Sequence, residues 1–286
     1  MDPRAGSFRS VLHIPASKAR ALDKARTLPA DAIIFDLEDA VAPEEKRAAR
    51  DLLAAALREG GFGPRFLIVR VNGLDTEWGA DDVTAMRGTG AQAMLLPKVE
   101  TTAQLDALGD AIHGVELWAM METPRGVLNA DALAAHPRVG GFVMGTNDLI
   151  KELRCRPRAD RLPLVTSPGQ CLLAARAHGI VAIDGVCNAF QDEEGLRAEC
   201  AQGRDLGFDG KSLIHPGQIA AANAVFAPTT AEIDLSRRHI AAFDEARRNG
   251  LGIAVVDGRI VENLHIVTAR QTLAKAAAIA QLEAVT

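Results

Sequence analysis

The sequence predicts a (β/α)8 TIM barrel followed by a C-terminal helical extension, and three observations carry that prediction. Eight short apolar segments alternate with amphipathic, Ala-rich stretches, the pattern of parallel strands joined by helices. The fifth and sixth segments are too apolar for surface strands and read as central parallel ones. Polar and charged residues recur at the C-terminal ends of the segments, where such barrels place their working residues. A chain of 286 residues is long enough for one barrel with a tail.

In order along the chain, strands are expected at Ser10–Ile14, Ala32–Leu37, Phe66–Val71, Ala93–Leu96, Glu116–Met121, Gly141–Met144, Val181–Val186 and Gly207–Ile214. The amphipathic stretches Lys18–Arg26, Pro43–Arg58, Asp81–Gly88, Thr102–Ile112, Asn129–His136, Gln170–His178 and Asp192–Leu206 are the expected helices. Pro43 followed by Glu44 and Glu45 suits a helix start, because proline loses no hydrogen bond there and acids meet the positive end of the dipole. Beyond His215-Pro-Gly-Gln218, two more helical patterns, Ala231–Asn249 and Asn263–Ala284, flank a small hairpin over Val255–Ile260 with Asp257-Gly258 as its turn. This divides the chain into a catalytic barrel over residues 1–228 and an extension over 229–286, suited to packing on its own barrel or on a neighbouring subunit.

The polar residues at the strand ends point to chemistry. Glu122 and Asp148 close consecutive apolar strands, so their carboxylates converge on one rim. Converging carboxylates repel unless a shared proton, a basic side chain or a hard cation neutralises them. A cation is the favoured neutraliser: Mg²⁺, or Mn²⁺ in its place. Helix capping is the structural alternative for both acids. A glycosidase acid/base pair is the other enzymatic one, but sugar sites favour aromatic platforms, and this chain has no Tyr and only 2 Trp.

Arg70 interrupts the apolar run Phe66-Leu-Ile-Val-Arg70 and needs an anion if buried. A substrate carboxylate would match its fork, and an internal bridge to Asp36 or Glu38 is the competing reading. Lys98 serves either as a Schiff-base lysine or, preferably, as the partner of a strand-end acid. His13 and His215 are candidate binding residues, or else hydrogen-bonded structural groups.

Composition excludes several classes. A net charge of −5 without a basic tract leaves no footprint for nucleic acid or an anionic membrane. No apolar run approaches a membrane span, and the N-terminus carries no signal-peptide core, so a soluble, cytoplasmic protein is expected. The 4 cysteines form no Cys-x-x-Cys pair or zinc spacing. Dinucleotide, Walker, zincin and nucleophile-elbow motifs are absent from the sequence.

Taken together, these segments resemble the citrate lyase beta-subunit-like family, which includes malyl-CoA and citramalyl-CoA lyases and lies in the HpcH/HpaI aldolase superfamily. The resemblance runs nearly end to end. It is carried by Arg9-Ser-Val-Leu-His-Ile-Pro15, Asp36-Leu-Glu-Asp-Ala-Val-Ala-Pro-Glu-Glu-Lys46, Val69-Arg-Val-Asn-Gly73, Pro97-Lys-Val-Glu100 and Glu122-Thr-Pro-Arg-Gly126. It continues through Gly145-Thr-Asn-Asp-Leu149, Ile183-Asp-Gly-Val186, Gly207-Phe-Asp-Gly-Lys-Ser-Leu-Ile-His-Pro-Gly-Gln-Ile219 and Asp257-Gly-Arg-Ile260.

The resemblance implies a Mg²⁺-dependent carbon-carbon lyase that cleaves a 3-hydroxyacyl-CoA thioester of the malyl, methylmalyl, citramalyl or citryl type. The products would be a 2-oxo acid and acetyl-CoA or a homologue. It further implies Glu122 and Asp148 as metal ligands, Arg70 as substrate holder, and Asp257 as an acid/base acting from an adjacent subunit of a trimer or hexamer. Arg20 and Lys24 match positions that hold the CoA phosphates, Ile214 and His215 match the CoA entrance, and His13 joins the substrate-binding set. A subunit that works only with an acyl-carrier protein is the first alternative, and a pyruvate-type class II aldolase the second. In the latter branch a histidine follows Asp-x-Glu; here Asp36-Leu-Glu38 is followed by Asp39. The usual Pro-Gly-Asn turn after the first strand is Pro15-Ala16-Ser17 here, a departure along the pantetheine path.

Overall fold

Eight parallel strands close on themselves in sequence order in the computed structural model, which describes residues 7–285. They are β1 (Ser10–Pro15), β2 (Ala32–Asp36), β3 (Phe66–Arg70), β4 (Ala93–Leu96), β5 (Glu116–Met121), β6 (Val139–Met144), β7 (Val181–Asp184) and β8 (Gly210–Leu213). Pairing of Ser10 with Lys211 and of Leu12 with Leu213 completes the cylinder. The helices of this unit are α1 (Ala19–Ala25), α2 (Lys46–Glu59), α3 (Gly79–Met86), α4 (Thr102–Ala111), α5 (Pro124–Leu128), α6 (Ala130–Ala134), α7 (Thr146–Leu153), α8 (Thr166–His178), α9 (Glu193–Leu206) and α10 (Ile219–Phe226). The predicted TIM barrel is the observed fold.

Strand periodicity sorts side chains into two cores. Val11, Ala32, Ile34, Ile68, Ala93, Leu95, Trp118, Met120 and Val143 pack together in one cluster, while Leu12, Ile33, Phe35, Val69, Met94, Leu117 and Ala119 join the larger cluster containing the helices' apolar faces. Successive residues of a strand point to opposite faces, so the first set fills the barrel and the second covers it. Phe8, Phe66 and Trp118 stack with centroids 5.3–5.8 Å apart. Gly141 makes room for Trp118: a Cβ there would lie 2.8 Å from the indole ring.

Several boundaries differ from expectation for physical reasons. β8 begins at Gly210 rather than Gly207, because Gly207 takes φ of 107° to end α9 and Phe208 N–H returns to the Gly203 carbonyl. β6 begins two residues early, at Val139. The sequence pattern missed α7, whose first turn carries Asp148, and α10, Ile-Ala-Ala-Ala-Asn-Ala-Val-Phe, which is too uniformly apolar to show an amphipathic period. Pro43–Glu45 forms a 3₁₀ turn that leads into α2.

The second compact unit comprises Ala227–Val285 together with Ser7. Thr229 and Glu232 form a capping box for α11 (Thr230–Arg248). Strands β9 (Ala254–Val256) and β10 (Arg259–Val261) pair antiparallel, and α12 (Asn263–Val285) follows. The hairpin turns on Asp257 and Gly258, with φ of 51° and 73°, the positive values a two-residue turn of this kind needs. Phe243, Ala246, Ala254, Val256, Val261 and Ile266 form its core. Among the described residues, no helix is long and apolar enough to cross a membrane.

Candidate active site

The inward parity of the strands delivers the polar groups of the rim. His13 continues the face of Val11, Asp36 that of Ala32 and Ile34, Arg70 that of Ile68, and Glu122 that of Trp118 and Met120. All four line a cavity of about 350 Å³ at the C-terminal mouth, together with Asp39, Thr146, Asn147, Asp148 and Ile214. Asp184 and Lys211 fall on the opposite parity. They are buried and pair at 3.1 Å behind the strands, with half-buried Glu199 and Arg161 completing an ion cluster, and do not line the cavity.

Arg70 is committed to the protein's own acids. Nε and Nη2 donate to the two oxygens of Asp36 at 2.8 and 2.5 Å, and Nη1 lies 2.9 Å from Glu38. Of the two roles considered for Arg70, the internal bridge is therefore present; Nη1 already faces Glu38 and Asp39, so a ligand carboxylate would share that corner with them. Burial alone would raise the Asp36 pKa, but the charge and hydrogen bonds of Arg70 outweigh it and lower it. Burial and the same guanidinium push His13 down to about 4, so its imidazole is neutral at pH 7. Lys98 donates its ammonium to Glu38 at 2.6 Å. Although burial acts to lower its pKa, Glu38 outweighs that and raises it, which opposes Schiff-base chemistry.

Glu122 is 1% exposed, and its pKa is pushed up to about 8 by burial first and the charge of Glu38 second, against the Lys98 N–H that it accepts at 2.8 Å. Gly145 lets this carboxylate approach β6, because a Cβ there would lie 2.4 Å from the Glu122 Cβ and 2.6 Å from Oε2. Asp148 is half-buried in the first turn of α7, and its carboxylate takes no hydrogen bond or ion pair among the described residues. Around this mouth Asp36, Glu38, Asp39, Glu122 and Asp148 outnumber the cations Arg70 and Lys98. No group of three or more metal-ligating side chains converges among the described residues. A pair of carboxylates with open positions beside it is the donor set that Mg²⁺ accepts, so the residues present fit that ion.

The remaining predicted positions lie farther out. Ile214 lines the mouth and is 41% exposed. The exposed His215 stacks on Phe190 with centroids 4.9 Å apart, and its Nδ1 accepts the Gly217 N–H. Arg20 and Lys24 share the exposed face of α1 and are absent from the cavity lining. Asp257 belongs to the second unit, where Arg238 Nη1 reaches both of its oxygens at 2.8 Å. Sequence reasoning missed the Lys98 N–H and the space at Gly145; Pro97-Lys98 following a strand and the Met144-Gly145 strand end were the signals available.

A family model described as HpcH/HpaI aldolase/citrate lyase matches residues 9–216. The chain belongs to that family. It is thus an enzyme of the HpcH/HpaI aldolase/citrate lyase kind, as the resemblance implied. A (3S)-malyl-CoA thioesterase of Cereibacter sphaeroides is 64% identical over 280 residues, covering 98% of both chains. The citrate lyase subunit beta of Escherichia coli is 36% identical, over 94% of this chain and 93% of the other. Among solved structures, CitE of Mycobacterium tuberculosis in complex with magnesium, acetoacetate and coenzyme A aligns with a TM-score of 0.80 at 31% identity, covering 96% of this chain and 99% of that one. The citrate lyase beta subunit of the same organism, complexed with oxaloacetate and magnesium, aligns at 0.70 and 35% identity, over 80% and 100%.

Proposed function

We propose that this family member hydrolyses a malyl-CoA-type thioester to the free hydroxy diacid and CoA, in a reaction dependent on Mg²⁺ held by Glu122 and Asp148. The observation that carries the reading is the unpaired Asp148 carboxylate beside buried Glu122 in one cavity with Arg70, in a chain 64% identical to a (3S)-malyl-CoA thioesterase. Mg²⁺ bound there, or Mn²⁺ in its place, supplies Lewis-acid polarisation of substrate oxygens. Arg70 Nη1, shared with Glu38, takes the free carboxylate of the acyl group, while Asp36 holds the rest of the fork still. Neutral His13 offers a hydrogen-bonding group without adding charge. Ile214, His215, Arg20 and Lys24 form the path and phosphate anchors for CoA.

Asp257 of an adjacent subunit in a trimer or hexamer is the acid/base. In hydrolysis it takes a proton from water as the oxygen attacks the thioester carbon; the C–S bond breaks, and Asp257 returns that proton to the leaving sulfur.

The second reading is retro-Claisen cleavage, favoured by the 36% identity to a citrate lyase beta subunit. There a base removes the hydroxyl proton, the carbon-carbon bond breaks to a 2-oxo acid, and Asp257 protonates the acetyl-CoA enolate. The deciding assay offers purified protein malyl-, methylmalyl-, citramalyl- and citryl-CoA with Mg²⁺, with and without EDTA, and follows thiol, 2-oxo acid and acetyl-CoA. EDTA-sensitive thiol release without 2-oxo acid supports hydrolysis. A 2-oxo acid with acetyl-CoA overturns hydrolysis in favour of cleavage. Inactivity toward every free CoA thioester overturns both and points to a substrate on an acyl-carrier protein.

A further inference from the structure

One lysine spans two carboxylates of the rim. Lys98 gives its backbone N–H to Glu122 Oε1 at 2.8 Å and its ammonium to Glu38 Oε1 at 2.6 Å. It makes both contacts with φ at 51°, a left-handed backbone that is costly for a side chain of this size. The other oxygen of Glu38 faces Arg70 at 2.9 Å, and Arg70 is itself fixed by Asp36. Both oxygens of Glu38 are thus held by cations, although its carboxylate lies within the span of one lysine from Glu122.

We propose that Lys98 is a positioning residue that keeps Glu38 from becoming a third protein ligand of the cation, so that coordination positions stay open for the substrate. This rests on the reading of Glu122 and Asp148 as the metal ligands. An added carboxylate ligand tightens cation binding and occupies a position that a chelating hydroxy or oxo acid needs. The arrangement also explains why Lys98 adopts a strained backbone: its N–H orients the carboxylate that binds, and its ammonium withdraws the one that must not.

The test uses Mn²⁺ as a countable substitute. Calorimetry gives its affinity, and water-proton relaxation reports the exchangeable waters left on the bound ion. Lys98→Met is expected to bind Mn²⁺ roughly tenfold more tightly than wild type and to retain fewer of those waters. Lys98→Arg keeps the wild-type values. Adding Glu38→Gln to Lys98→Met returns both affinity and water count to wild type, a reversal that misfolding would not produce. Tighter binding with an unchanged water count would reduce Lys98 to a charge effect and overturn the proposal, as would unchanged or weaker binding. Wild-type protein that binds no Mn²⁺ would instead remove the metal-site reading on which the proposal stands.

Discussion

Arg70 and Asp36 meet edge to edge: both oxygens of the carboxylate accept hydrogen bonds from one side of the guanidinium, at 2.8 and 2.5 Å, with both side chains buried. The pair fixes the guanidinium and leaves Nη1 beside Glu38 and Asp39. Asp36→Asn leaves a buried guanidinium with Glu38 at 2.9 Å and Asp39 at 3.7 Å, both on Nη1, as its remaining acids, and breaking such a pair costs about 3 kcal/mol or more. Urea denaturation followed by circular dichroism should show a loss of that size, with malyl-CoA turnover lost as well. A change below about 1 kcal/mol would mean that Glu38 and Asp39 suffice to neutralise Arg70.

Much of this site could be read along the chain because strand parity carries side-chain direction. Glu122 and Arg70 stand out as charges ending or interrupting apolar runs, and both point into the barrel. The same parity separates Asp184 and Lys211 from the site, since they fall with Ala182 and Leu213 on the outer face. Asp148 was legible as an acid after β6, but its placement on α7 was not, since Gly145 ends the strand three residues earlier. The Lys98 N–H is a backbone donor aimed by tertiary structure, which side-chain patterns do not report. The choice between hydrolysis and carbon-carbon cleavage was invisible for a related reason: both proposed reactions draw on the same carboxylates, and the resemblance raised only cleavage.

Gly145 offers a steric test of how Glu122 is held. A methyl at this position would contact the Glu122 Cβ and Oε2 at 2.4 and 2.6 Å, closer than any real Cβ tolerates. Gly145→Ala should therefore displace the carboxylate and weaken Mg²⁺ binding, measured by calorimetry, roughly tenfold or more, with overpacking costing about 1–3 kcal/mol of stability. Undiminished Mg²⁺ affinity in a folded variant would show that Glu122 does not hold the ion from this position.

Asp257 offers a test that separates the proposed chemistry from metal binding. Asp257→Ala should abolish turnover of malyl-CoA while leaving Mg²⁺ affinity at the wild-type value, because the residue lies on the hairpin of the second unit rather than in the cavity lining. An unchanged turnover rate would remove Asp257 from the mechanism. Mixing Asp257→Ala subunits with Glu122→Gln subunits should restore part of the activity if the aspartate acts across an interface.

His13 sets an acid limit on stability. Its folded pKa of about 4 lies below the ordinary 6.5, so between those values the unfolded chain binds a proton that the folded protein refuses. Stability therefore rises with pH through this window and is lost as pH falls, by at most about 1.4 kcal/mol per unit from this group. Urea midpoints from pH 4 to 7 should show a steeper fall toward acid for wild type than for His13→Asn. Parallel curves would assign the acid sensitivity to other groups.

Glu122 works in the opposite direction, and Mg²⁺ reads it out. With its pKa at about 8 in the metal-free protein against 4.5 ordinarily, the folded state holds a proton that the unfolded chain has released between those values. Metal-free stability therefore falls as pH rises through that window, and this contribution levels off above about pH 8. A cation needs the carboxylate ionised, so each Mg²⁺ bound below pH 8 must expel up to one proton. Affinity measured by calorimetry should rise by up to about tenfold per unit between pH 6 and 8 and then level off. Repeating the titration in buffers of different ionisation enthalpy counts the proton directly. An affinity independent of pH across that range, with no proton released, would mean that Glu122 is already ionised or is not a ligand, and Glu122→Gln distinguishes these: it abolishes binding in the first case and spares it in the second.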